Sequence, residues 1–157
     1  DRTGPMISPF NAWVILKSME SMNLRVERKA ENAVAVADFL SSHDAVDRIY
    51  YPHHSSHPQH ELARRQMSHG GTILSFTIPG GRDEAFALLN QLELIDISNN
   101  LGDSKSLACH PASTTHEGIG PEGRDVMGIG ENLIRLSLGL EHKDDLIGDL
   151  AHALGAL

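Results

Sequence analysis

Apolar positions recur in this chain at two different periods, and the switch between them divides it into elements. Ser8-Pro9 combines a hydroxyl cap with a proline at the first helical position, and Trp13, Val14, Leu16 and Met19 follow at helical spacing, which predicts a helix. A second helix is predicted from just after Asn23 to Leu40. Its apolar face is Ala30, Ala33, Val34, Ala37 and Leu40, and Arg25, Glu27, Arg28, Lys29 and Glu31 are read as mostly wetted. Val46 to Tyr51 alternates at even steps and reads as a strand that Pro52 ends. His57-Pro58 opens a short helix through Met67, broken by Gly70-Gly71.

Thr72 to Ile78 is rich in strand formers and closed by Pro79-Gly80-Gly81, the clearest strand signal present. Helical spacing returns from Asp83 to Leu92, with Ala85, Phe86, Leu88 and Leu89 apolar. Leu94 to Ile97 and Ser104 to Cys109 are short strands, and in Asn132 to Leu138 the set Leu133, Arg135, Ser137 opposes Ile134, Leu136, Leu138. Asp144 to Leu154 closes the pattern as an amphipathic helix. Strands separated by helices at unequal spacing predict an α+β or α/β sandwich with helices covering one sheet face. Arg135 stands out because its strand neighbours are apolar. A guanidinium there either reaches solvent along its stem or grips a carboxylate or phosphate by two parallel hydrogen bonds.

Composition narrows the function classes. A chain of 157 residues fits one compact domain at roughly 100 to 200 residues each. With 13 Lys and Arg against 21 Asp and Glu the formal charge is -8, which disfavours nucleic acid and anionic membrane surfaces as partners. Ten histidines would offset much of that charge near pH 6, since an ordinary imidazole titrates at about 6.5. The single cysteine, Cys109, leaves no internal disulfide and points to a reducing, cytoplasmic compartment. No apolar run approaches a spanning helix of roughly 18 residues, and no signal-peptide layout is seen. The chain starts at Asp1 without an initiator methionine, so a piece of a longer protein is expected as readily as a processed start.

Four motifs carry weaker suggestions. Gly118-Ile119-Gly120-Pro121-Glu122-Gly123 spells G-x-G-x-x-G, yet no strand feeds it and a proline follows the second glycine, so dinucleotide binding is not expected. Gly102-Asp103-Ser104-Lys105-Ser106 lacks the leading glycine of a phosphate loop and reads as a turn. His53, His54, His57 and His60 crowd together without a thiolate, so no metal site is expected. Cys109-His110 are adjacent on a strand and point to opposite faces, which favours a buried structural cysteine over a nucleophile and its base. The loop from Ser98 to Asp103 is an ordinary polar turn, or a binding edge opposite Arg135.

Taken in order, several segments resemble the carboxy-terminal part of the cysteine and methionine metabolism family of pyridoxal-phosphate enzymes. They are Ser8-Pro9-Phe10-Asn11-Ala12-Trp13, Leu24-Arg25 with Glu31-Asn32-Ala33, Tyr51-Pro52 followed by Ser56-His57-Pro58-Gln59-His60, Leu101 to Leu107, His110-Pro111-Ala112-Ser113-Thr114-Thr115-His116, and Leu133 to Glu141. Asn99-Asn100 before Leu101-Gly102 look most like the branch of O-succinylhomoserine sulfhydrylases. O-acetylhomoserine sulfhydrylases, or the cystathionine γ-synthases and lyases, are the alternatives. Ser18-Met19, His53-His54-Ser55 and Cys109 depart from the family pattern away from the proposed site.

The resemblance implies an α+β fold, the small carboxy-terminal domain of a fold-type-I transferase with a mostly antiparallel sheet covered by helices. Residues 1–40 would be a helical lead-in and 41–157 the domain proper. It implies that Arg135 binds the substrate's α-carboxylate with Asn100 assisting, and that the cofactor is pyridoxal 5'-phosphate. The partners implied are an O-acylhomoserine and sulfide, in a homo-oligomeric enzyme of methionine biosynthesis. The family's cofactor lysine lies in an upstream Ser-x-Thr-Lys-type motif, whereas the lysines here are Lys17, Lys29, Lys105 and Lys143. No catalytic or cofactor-binding residue is therefore expected within these residues, and a stretch acting alone would be a ligand-binding or oligomerising module.

Overall fold

The computed structural model describes residues 6–157. The first five positions of the lead-in predicted over 1–40 lie outside the described residues. Helix α1 (Pro9–Met19) starts as the sequence predicts, with Ser8 Oγ accepting from Asn11 N–H at 3.2 Å. Helix α2 (Met22–Ser41) follows and packs into the core, strand β1 (Arg48–Tyr50) stops before Pro52, and helix α3 (His60–Gln66) comes next. Strand β2 (Ile73–Thr77), helix α4 (Arg82–Gln91), strand β3 (Asp96–Ile97) and strand β4 (Leu107–Cys109) precede two short 3-10 turns, Pro111–Ser113 and Glu117–Ile119. Helix α5 (Gly120–Met127), strand β5 (Leu133–Ser137) and helix α6 (Lys143–Leu154) complete the order.

The five strands form one sheet in the order β1-β2-β5-β4-β3, antiparallel throughout except for the edge pair β3 and β4, which is parallel. The predicted α+β fold and mostly antiparallel sheet are what the structure has. Alternation along β5 places Ile134, Leu136 and Leu138 on one face, and the register aligns Ile49, Phe76 and Ile134 across three strands. Leu74, Leu136 and Ala108 form the next row on the same face. Onto it pack Val36 and Leu40 of α2, Ala85 and Leu88 of α4, and Leu146 and Leu150 of α6, all fully buried. Burying Val, Leu, Ile or Phe side chains contributes roughly 1.5–3 kcal/mol each, so this one-sided layer is the main source of stability.

Several local expectations are corrected. Val34 is exposed and Val36 takes its place in the core, because the α2 stripe runs 29, 33, 36, 40 rather than through 34. Lys29 is on that stripe and is 6% exposed, not wetted. Helix α3 begins at His60, since the residues from His54 to His57 form successive tight turns first. Strand β3 is reduced to two residues because Asp149 of α6 captures the chain before it: its carboxylate accepts from the N–H groups of Glu93, Leu94 and Ile95 at 2.8, 3.1 and 2.9 Å. The alternation of Leu94 to Ile97 is thus only partly realised as sheet.

Helix α5 has no counterpart among the predicted elements. It is an eight-residue segment weakened by Gly120, Pro121 and Gly123, and it is held from outside by charge. Arg124 Nη2 meets Glu131 Oε1 at 2.8 Å, and Arg82 Nε at the start of α4 meets Glu131 Oε2 at 2.8 Å. No helix among the described residues is long and apolar enough to cross a membrane.

Two predictions test this frame. Asp149→Ala orphans three N–H groups, one of them buried, and should cost about 2–4 kcal/mol in urea unfolding; a loss below about 0.5 kcal/mol would show that the segment finds other partners. The hydrogen bond from Arg82, helped by its charge and that of Arg124, holds the Glu131 carboxyl below the usual glutamate range. Its contribution is therefore fully present above the ordinary carboxylate value and is lost as pH falls through the lowered one. Glu131→Gln should lower stability at neutral pH by no more than about 1 kcal/mol, and should flatten the acid limb of a plot of melting temperature against pH.

Candidate functional site

The sheet face away from the helices carries the unusual side chain. There the register sets Tyr50, Ser75, Arg135 and Cys109 in one row across four strands. The loop between β3 and β4 and the 3-10 turn Pro111–Ser113 border it. Arg135 Nη2 donates to the carbonyl oxygens of Asn99 and Asn100 at 2.9 and 3.3 Å. Both bonds leave through one nitrogen, so the Nη1 and Nε edges make no hydrogen bond to a described residue. A guanidinium carries five N–H donors in a rigid fork, and those on Nη1 and Nε stay open to an acceptor such as a carboxylate oxygen.

Asn99 and Asn100 are both exposed, and it is their main-chain oxygens, not the Asn100 amide, that meet Arg135. The Asn100 N–H is itself held by Ser98 Oγ at 3.2 Å. The polar segment after Ile97 is thus brought to Arg135. Next to it a cleft of about 270 Å³ opens, walled by Phe86 and Ile97 with Ser98, Asn99 and Thr114 offering polar groups.

The loop is tied down beyond Asn100. Gly102, at φ +82°, donates its N–H to Ser137 Oγ at 3.0 Å and accepts at its carbonyl from Lys29 Nζ at 2.9 Å. Burial pushes the Lys29 ammonium pKa down, helped by Arg25 and opposed by Asp103 and Glu141. Further along, Ser106 N–H and Oγ donate to the two oxygens of Glu141 at 2.6 and 2.9 Å, and Gly139 N–H donates to Ser106 Oγ at 2.8 Å. Asn32 Nδ2 of α2 bridges the carbonyls of Gly139 and Glu141, both at 3.0 Å. A Cβ at Gly139 would lie 2.5 Å or less from the main chain of Ser104 and Lys105, which accounts for glycine in Leu138-Gly139-Leu140. Lys29, Asn32, Ser106, Ser137 and Glu141 were not picked out as site residues from the sequence. The available signal was Lys29 and Asn32 sitting on the apolar stripe of α2, where a polar side chain needs a partner.

The other candidates take structural places. Gly118-x-Gly120 lies at the turn into α5, starting nine residues past the end of β4, so no strand feeds it. Asp103 Oδ1 accepts from Ser104 Oγ and Lys105 N–H, which makes Gly102 to Ser106 the turn it was read as. His54 Nδ1 meets Ser56 Oγ and His57 Nδ1 accepts from Gln59 N–H, and among the described residues no three potential ligands converge. His110 has both ring nitrogens engaged, with Ser113 Oγ and the Glu131 carbonyl, each at 2.8 Å, and cannot serve Cys109 as a base. Lys17 pairs with Glu20 and Lys105 with Asp96, both on the surface, and Lys143 opens α6, exposed.

Cys109 is 2% exposed, and burial raises its thiol pKa against the opposing pull of Arg135 and Thr114. A thiol that is both covered and held protonated should react with a disulfide reagent at pH 8 at least about a hundredfold more slowly in the native protein than in urea. Equal rates would show that the face bearing Cys109 and Arg135 opens.

Comparison with known proteins finds relatives along almost the whole chain. O-succinylhomoserine sulfhydrylase of Mycobacterium tuberculosis is 50% identical over 156 residues, covering 97% of this chain and 38% of that protein. The Pseudomonas aeruginosa sulfhydrylase is 46% identical over 98% of this chain and 38% of its own, and the L-methionine gamma-lyase of Porphyromonas gingivalis is 43% identical over all of this chain and 39% of its own. Among solved structures, a Campylobacter jejuni protein described as an O-acetylhomoserine (thiol)-lyase, crystallised with pyridoxyl-lysine phosphate, superposes with a TM-score of 0.92 at 38% identity over 98% of this chain and 37% of its own. Cystathionine gamma synthase of Xanthomonas oryzae, in complex with aminoacrylate and cysteine, gives 0.90 at 37% identity, covering 95% of this chain and 38% of that one. The chain therefore spans less than two fifths of the length of these relatives. A family model described as Cys/Met metabolism PLP-dependent enzyme matches residues 1–155, and the chain belongs to that family.

Proposed function

We propose that this chain is the substrate-recognition portion of an O-succinylhomoserine sulfhydrylase, an enzyme of methionine biosynthesis that replaces the succinate of O-succinylhomoserine with sulfide to form homocysteine. Residues 1–40 are its lead-in and 41–157 its α+β body; the whole protein works in the cytoplasm as a homo-oligomer. The observation that carries the reading is Arg135, whose Nη2 is spent on Asn99 and Asn100 while Nη1 and Nε bond to no described residue, with its neighbours Asn99 and Cys109 lining a cleft. An amino acid substrate needs its α-carboxylate fixed so that the bond to be broken keeps one orientation, and a planar fork does this where a point charge cannot. The carbonyls of Asn99 and Asn100 hold the guanidinium plane, and the cleft walls of Phe86 and Ile97 can take the substrate's aliphatic part.

The sulfhydrylase relatives are 46–50% identical and support that branch over the lyases, which are 40–43% identical. The lyase resemblance is strong enough to make methionine γ-elimination the second reading. The residues described here do not fit the covalent attachment of pyridoxal phosphate: Lys17, Lys29 and Lys105 are each bonded elsewhere and Lys143 stands exposed at the head of α6. The part argued for this chain is accordingly binding and orientation.

In the full-length protein, O-succinylhomoserine plus sulfide should yield homocysteine, and methionine should release little methanethiol. The reverse ranking would replace the sulfhydrylase reading with the lyase one. Arg135→Lys should raise KM for O-succinylhomoserine about 10- to 100-fold, the loss of one charge-assisted bidentate contact, while KM for sulfide stays within a factor of two. An unchanged KM for the amino acid would remove Arg135 from the substrate site.

A further inference from the structure

We infer that Lys29 is a positioning residue for carboxylate recognition, acting through the main chain of Gly102. The inference rests on the assignment of Arg135 above and extends it to a side chain 106 positions away in sequence, on the opposite side of the loop. Every residue from Asn99 to Lys105 is exposed, so the loop has almost no apolar burial to hold it. Such a segment opens at low free energy unless polar contacts pin it. The two carbonyls that orient the guanidinium belong to this loop.

The pins converge on one residue. Gly102 is two positions from Asn100, and its N–H is tied to Ser137 on β5 while its carbonyl is tied to Lys29 on α2. Ser137 lies two residues from Arg135 on the same face of the same strand, so that contact sets the loop's place along the site. Lys29 supplies the opposing contact from a helix whose Ala33, Val36 and Leu40 are locked in the core. The left-handed φ of Gly102 is what turns its N–H and carbonyl towards these separate partners.

A buried ammonium held by a neutral carbonyl is an expensive way to fill the end of an apolar stripe. Methionine or leucine at 29 would pack there without desolvating a charge. The gain from lysine is a directed, charge-assisted hydrogen bond on Gly102. Without it the carbonyls of Asn99 and Asn100 lose one of the restraints on their position, and the fork of Arg135 loses its fixed plane. Small misplacements of a binding group are costly: about 1 Å can change rates by about a hundredfold.

The test uses the full-length holoenzyme with Lys29→Met, Lys29→Arg and Arg135→Lys. Lys29→Met should raise KM for O-succinylhomoserine about 5- to 20-fold with kcat within a factor of two, a partial share of what misplacing the group entirely would cost. KM for sulfide, which has no carboxylate, should not move. Butyrate, which offers a carboxylate but no amine to engage the cofactor, should bind about 5-fold more weakly to the Met variant in a titration followed by NMR, with Lys29→Arg recovering part of the loss. If Arg135→Lys raises KM and Lys29→Met does not, the inference on Lys29 fails and the assignment of Arg135 stands. If Arg135→Lys leaves KM and butyrate binding unchanged, the underlying assignment fails. A Met variant that loses kcat, sulfide KM and thermal stability together would make Lys29 merely structural and overturn the inference, and should that variant not fold, wild-type butyrate affinity in Lys29→Gln would overturn it equally.

Discussion

The register of β5 is the constraint on which the rest of this structure depends. As the middle strand it pairs with β2 on one side and β4 on the other, and its residues alternate between a helix-packed core and a face that carries a guanidinium. A slip of one residue would drive Arg135 into the layer filled by Phe76, Leu88 and Leu150 and turn Ile134 and Leu136 outwards. The cost of burying that charge alone exceeds what any single apolar contact returns. The core therefore places the site: the same alternation that buries Ile134 and Leu136 presents Arg135, with Ser75 and Cys109 fixed beside it.

The loop from Ser98 to Ser106 is organised by different means. It has little burial of its own, so its shape is specified by partners far away in sequence: Asp149 of α6 gathers the chain entering β3, Ser137 and Lys29 take Gly102, and Glu141 receives Ser106. Asn32 then binds the main chain on either side of Leu140 to α2. Three elements that form the hydrophobic layer thus also hold the polar edge of the candidate site. Packing and recognition share a scaffold, which is why Gly139, where a side chain would strike Ser104 and Lys105, tolerates no Cβ.

What could be read from the sequence follows this division. Strands β2 and β5 were legible because one buried face imposes strict alternation, and Arg135 because it interrupts that alternation with a charge. Helices α1, α2, α4 and α6 were legible from their spacing and caps. The misreadings occur where the controlling contact is distant. Lys29 looks like one more member of a charged run, and only the fold shows that position 29 continues the stripe of Ala33, Val36 and Leu40. Strand β3 is shortened by a carboxylate more than fifty residues away. Helix α5 has weak intrinsic propensity and is fastened by Glu131 to two arginines, one of them on another helix. The sequence offers no sign that the carbonyls of Asn99 and Asn100, rather than their amides, face Arg135.

The two cations of this region divide the work in a manner that follows from their shapes. Arginine is a flat fork with donors on several edges, so it can be held by carbonyls on one side and still address a ligand with the other. Lysine is a compact charge on a flexible stem, suited to reaching a single oxygen across a helix-to-loop gap. Arg135 keeps one nitrogen on Asn99 and Asn100 and leaves Nη1 and Nε without a bond to a described residue, whereas Lys29 is buried with its ammonium on Gly102. The two exchanges are unequal: a lysine at 135 could not serve carbonyls and a carboxylate in one plane, whereas an arginine at 29 could still reach the Gly102 carbonyl with one donor while its others found no acceptor, and so would keep only part of the contact. The asymmetry is what ties the proposed recognition to these two positions in particular, and it makes the loop between them, rather than either side chain alone, the unit on which recognition acts.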